Sequence, residues 1–133
     1  MTTGPRAFCD PPTAFGRLEA RHRRWLLPDG SDPVEMSKFR AAVVQSVICL
    51  WVRRHKNEVG KTQDFLAAND ERGDGASKWN ARLNGRIPLT MQDYATLLRI
   101  LPDALPAPWE IQPFLDAAEK RGEVPAGWDW PDC

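Results

Sequence analysis

The run KWNARLNGRIPLT, residues 78–90, carries Lys78, Asn80, Arg82, Asn84 and Arg86 and is interrupted by Gly85 and Pro88. Amide, ammonium and guanidinium groups donate to base edges and phosphate oxygens, so this composition suits recognition of a polyanion rather than bond-making. On a helix turning about 100° per residue, Ala76, Trp79 and Leu83 share one side. Ser77, Lys78, Ala81 and Asn84 fall on or near the opposite side, with Asn80 and Arg82 flanking them. The small Ala81 near the middle of that donor-rich face would let the helix enter a major groove, where a bulky residue would hold it off. The same pattern also describes an ordinary solvated helix face.

Other chemistry finds no machinery. His22 and His55 are far apart and lack companion cysteines or carboxylates at ligand spacing, and His22 reads as a packed side chain. Cys9, Cys49 and Cys133 are odd in number and match no metal pattern, which fits a reducing compartment. There is no Gly-rich phosphate loop and no GxSxG. The expectation is a protein without catalytic activity, metal or cofactor. MTTGPRAFCDPP lacks a basic-then-apolar signal, and AAVVQSVICLWV is broken by Gln45 and Ser46, so a cytoplasmic protein with no membrane span is expected.

The elements that must position the polar run are helices. Thr13 can cap a helix in which Phe15, Leu18, His22 and Trp25 recur at three- and four-residue spacing, closed by Pro28. Asp32 as N-cap, Pro33 at the first position and Glu35 as capping-box partner start a long helix to about Asn57, with Phe39, Val43, Val47, Leu50 and Trp51 as its stripe. Gly60 ends it, and Thr62 is placed to cap a short helix whose Phe65 and Leu66 face inward. NDERGDG reads as a turn before the polar helix. Thr90, with Asp93 three residues on, caps a further helix whose buried stripe is Met91, Tyr94, Leu98 and Leu101, helped by Ala95, Leu97 and Ile100. PDALPAPWEIQ reads as extended, and a last helix runs from about Pro113 to Arg121.

A chain of 133 residues builds one compact core with appendages. Lys plus Arg and Asp plus Glu both number 18, so only the distribution of charge is informative. From Arg17 to Lys56 nine basic residues face four acidic ones, whereas from Ile87 to Cys133 three face eight; a basic front part permits a polyanion on one face. The expected class is all-α, a five- to six-helix bundle. Its expected parts are an arm and amphipathic helix over 1–30, a helix-turn-helix domain over 31–104, and a proline- and tryptophan-rich arm over 105–133.

Three stretches in order, HKNEVGKTQDFLA, WNARLNG over 79–85 and LTMQDYATLLRIL over 89–101, resemble the DNA-binding domain of the lambda-repressor-like (Cro/C1, Xre-type) family. The likeness covers about residues 34–104 and implies a sequence-specific double-stranded DNA-binding transcriptional regulator, working as a homodimer on inverted repeats. It implies that Ala76, Ser77, Lys78 and Asn80 face bases, and that Gln63, Arg82, Asn84 and Arg86 contact the DNA backbone. Gln63 also fits a plain exposed helix start, and Asn84 a C-cap. Three positions depart from the family pattern: Ala76 where glutamine is frequent, a longer turn bearing Asp70, Glu71 and Asp74, and Trp79 in place of a smaller aliphatic residue.

The rival expectation is a protein-interaction module on the same fold, an antitoxin or phage accessory factor, using the acidic tail and its tryptophans. Trp25, Trp51 and Trp79 lie on expected buried stripes, whereas Trp109, Trp128 and Trp130 sit in proline-broken segments and suggest a C-terminal arm that builds a dimer.

Overall fold

A computed structural model describes residues 4–16, 24–56 and 62–121. Among them five α-helices dominate: α1 (Pro33–Lys56), α2 (Thr62–Asn69), α3 (Ala76–Leu83), α4 (Met91–Ile100) and α5 (Pro108–Arg121). Two short strands, β1 (Cys9–Asp10) and β2 (Arg24–Trp25), pair antiparallel with Cys9 opposite Trp25. The fold is mainly helical, and no helix of the described residues is long and apolar enough to cross a membrane.

Helix α1 is the axis. Asp32 caps it by accepting from the backbone N–H of Val34 at 3.0 Å and Glu35 at 3.2 Å. Glu35 does not complete the expected capping box: the Asp32 N–H already donates to the Asp29 carbonyl, and the Glu35 carboxylate pairs with Lys38. Phe39, Val43, Val47 and Leu50 are buried as expected, but so are Ala42, Gln45, Ser46, Ile48, Cys49 and Val52. Burial on nearly every side explains why a β-branched run forms a helix here: neighbours surround it, and packing outweighs propensity.

The N-terminal part departs from expectation. Residues 17–23, including Leu18 and His22, lie outside the described residues. Phe15 is followed by Gly16 at φ 64, a left-handed turn, and Trp25 belongs to β2, so neither Phe15 nor Trp25 lies on an α-helix. Both aromatics still reach the core, because Phe15, Trp25 and Phe39 form a chain of edge-to-face contacts.

α5 begins at Pro108 rather than Pro113, with Pro113 accommodated inside it. Proline at the first helical position leaves no donor unused, and the Ala107 N–H finds the Glu110 carboxylate at 2.9 Å. α5 packs on α1, where Trp51 and Phe114 meet edge-to-face and Arg40 pairs with Glu119. Trp109 stands on its outer side, 78 % exposed. The stripe of α4 is also rotated from the expected one. Asp93, Thr96, Leu97 and Leu101 are buried, while Met91 and Leu98 point outward. The buried Asp93 carboxylate explains the rotation, since Arg72 and the buried Arg82 meet it on that side.

Candidate nucleic-acid interface

α3 is held by its inner face. Trp79 is fully buried and Leu83 nearly so, while Ser77 and Lys78 are exposed and Ala76, Asn80 and Ala81 are half-buried. A buried indole needs an acceptor, and the Trp79 Nε1–H donates to Asp70 Oδ2 at 2.9 Å. Asp70 comes from the turn between α2 and α3, so the bond fixes both the depth of α3 and its angle to the turn.

Two of the three carboxylates of that turn, Asp70 and Asp74, are held by arginines. Arg72 donates from Nε and Nη2 to the two oxygens of Asp70, at 3.1 and 3.0 Å, and from Nη1 to Asp93 Oδ1 at 2.8 Å. Arg82 donates from Nη2 to Asp74 Oδ2 at 2.5 Å, and its Nε lies 3.3 Å from Asp93 Oδ2. Its guanidinium sits over the Trp79 ring, 4.6 Å from the centroid. Two arginines and an indole N–H thereby hold three aspartates, and the α2–α3 turn is tied to α4. Glu71 remains exposed, 3.6 Å from Arg99 on α4.

The electrostatics follow from these partners. Burial alone would raise the Asp70 carboxyl, but hydrogen bonds from Arg72 and Trp79 outweigh it and hold Asp70 below the usual carboxylate range. Asp93 is likewise held low against its burial, by the Thr90 backbone and side chain and by Arg72. The hydrogen bond from Arg82 holds Asp74 low. Arg72 is held above its ordinary value by Asp70 and then Asp93.

This network corrects the role expected of Arg82. The helical projection set it beside the exposed face, but its side chain is only 8 % exposed and is bound between Asp74, Asp93 and Trp79. It braces α3 from within. Asn84 is also engaged internally. Its Oδ1 accepts from Arg53 Nη2 at 2.7 Å, and its Nδ2 donates to Asn80 Oδ1 at 2.9 Å. It is the C-cap of α3, the alternative the sequence left open. Gly85, at φ 71, follows in the left-handed region, with its N–H on the Arg82 carbonyl and the Arg86 N–H on that of Ala81. That pair of bonds is a Schellman ending. A Cβ at Gly85 would lie 2.7 Å from the Phe15 ring, so the N-terminal segment requires glycine there too.

Periodicity assigns no role to Gln45 or Arg53, yet they set the loop after α3. Gln45 Nε2 donates to the carbonyls of Arg82 and Ile87 at 2.8 and 3.0 Å, and its Oε1 accepts from the Leu89 N–H at 2.8 Å. Arg53 joins the Phe15 and Gly16 carbonyls to Asn84. A glutamine among apolar α1 residues was the available signal, since a buried amide must find partners.

The exposed part of the face thus consists of Ser77 and Lys78, with Ala76, Asn80 and Ala81 half-buried, Arg86 exposed beyond the glycine, and Gln63 half-buried on α2. Lys78 Nζ lies 3.5 Å from Asp74 Oδ1, but the side chain is 67 % exposed, and such a surface pair is weak enough to exchange for another anion. Comparison with family models, curated proteins and solved structures finds no match to this chain.

Proposed function

We propose that the protein is a sequence-specific double-stranded DNA-binding regulator of the lambda-repressor-like class, acting in the cytoplasm as a homodimer. In this reading α2, its turn and α3 form the helix-turn-helix. Ser77 and Lys78 reach base edges with Ala76 and Asn80 beside them, while Gln63 and Arg86 hold phosphates. The orientation of α3 carries the proposal: Trp79 and Leu83 point inward, Ser77 and Lys78 outward, and the charges of Asp70 and Asp74 are countered by Arg72 and Arg82. An acidic turn would otherwise repel a phosphate backbone.

The test begins with duplexes selected from a random oligonucleotide pool. Ser77→Ala with Lys78→Ala should reduce discrimination between selected and scrambled duplexes, by about 1–3 kcal/mol for each base that is no longer read. Gln63→Ala and Arg86→Ala should weaken both duplexes alike and lower the salt dependence. Recovery of no enriched sequence, or identical behaviour of all four substitutions, would overturn the assignment.

A second reading, a protein-interaction module on the same fold, draws on the internal engagement of Arg82 and Asn84, which leaves few free donors on α3, and on the exposure of Met91 and Trp109. It predicts no retention on a heparin column at low salt.

A further inference from the structure

Two depressions run along one side of α1. One, of about 340 Å³, is lined by Val44, Ile48, Met91, Tyr94 and Ile111 among others. The other, of about 480 Å³, includes Pro5, Phe8, Glu35 and Lys38. Both include Ala41, Gln45 and Leu89, so they are continuous and form a single trough. The Gln45 amide is already bound to Arg82, Ile87 and Leu89, which leaves the middle of the trough to apolar contact. Met91, 79 % exposed, stands at its rim.

α5 delivers the chain to this place. The ion pair of Glu119 with Arg40 sets the last turn of α5 beside the residue that precedes Ala41. Residues 122–133, GEVPAGWDWPDC, follow Arg121 and carry Trp128 and Trp130 with no basic residue. On any extended backbone, side chains two positions apart share one side, the spacing that separates these two indoles. Seven residues reach up to about 25 Å, whereas Ala41 to Ile48 spans only about 10 Å of helix. Two indoles each offer about 150–250 Å² of surface that water disfavours, and the trough offers apolar walls within their reach.

We propose that residues 122–133 of the same chain occupy this trough, with Trp128 and Trp130 against Met91, Tyr94 and Ile111. The short tether favours this occupant over a second copy, because it sets an effective concentration on the order of millimolar. The segment covers the apolar channel that α1, α4 and α5 line.

Cys133 gives a direct probe. Cys9 and Cys49 are buried, and burial pushes the Cys49 thiol up to about 12, so a thiol-reactive nitroxide goes to Cys133 in the full chain. The methyl resonances of Met91, Leu89 and Ile111 should broaden, should recover when the label is reduced, and should stay sharp in labelled Trp128→Ala/Trp130→Ala protein. Dilution should not change the result. Absence of broadening would overturn the proposal. So would broadening carried from spin-labelled chains to separate isotope-labelled chains in a mixture, which would make a second copy the occupant. No DNA enters the measurement, so its outcome is independent of the proposed regulator role.

Discussion

Two halves of the molecule are held together by opposite means. Around α1 and the N-terminal segment the contacts are aromatic and aliphatic: Phe8 on Phe39, Trp25 on Phe15 and Phe39, Trp51 on Phe114. Around α3 a single large apolar anchor, Trp79, is surrounded by Asp70, Arg72, Asp74, Arg82 and Asp93. Apolar contacts are strong but non-directional, so they stabilise without specifying an angle. Charged hydrogen bonds contribute less net stability but have one good geometry, so they fix the pose of a short helix that packing alone would leave poorly determined.

The largest blow should come from the apolar half. Phe39→Ala removes a fully buried ring and should cost about 3–5 kcal/mol in denaturant unfolding. Arg72→Met should cost less, about 2–3 kcal/mol, because the side chain is 28 % exposed and water can partly replace it around Asp70 and Asp93. A loss as great as that of Phe39→Ala would reverse the comparison.

Acid should attack the polar half selectively. Asp70, Asp74 and Asp93 have folded-state values below those of unfolded carboxylates, near 3.9. Their contribution is therefore complete above that unfolded value and is lost as pH falls through the lower folded values. Denaturation midpoints measured between pH 7 and pH 2 should fall below about pH 4, and less steeply in Arg72→Met, whose carboxylates have lost the partner that depressed them. Equal slopes would mean that Arg72 does not stabilise the charged carboxylates. The smallest effect belongs to the exposed Lys38–Glu35 pair, where Lys38→Ala should change stability by no more than about 0.5 kcal/mol.

Much of the scaffold was legible because local rules state it. Asp32 and Thr90 act as caps, the latter in a full capping box with Asp93; Phe39, Val43 and Val47 form a buried stripe; Trp79 and Leu83 point inward. Arg82 was misread because a helical projection assigns a face by angle, whereas its guanidinium lies inward only because Asp74 and Asp93 arrive from other elements. Met91 and Leu98 were misread for the converse reason: hydrophobicity suggested the inner face of α4, but Asp93 occupies it with its arginines.

The amino-acid order by itself determined the periodic and capped features: the starts of α1 and α4, the inward side of α3, and the glycine at its end. These depend on neighbours within one or two turns. Only the tertiary structure decided which polar groups remain available at the surface. Hydrogen-bond partners such as Asp70 with Trp79, Asp93 with Arg72 and Gln45 with Leu89 lie 9 to 44 residues apart. No local period encodes a contact between segments that meet only when the chain is folded.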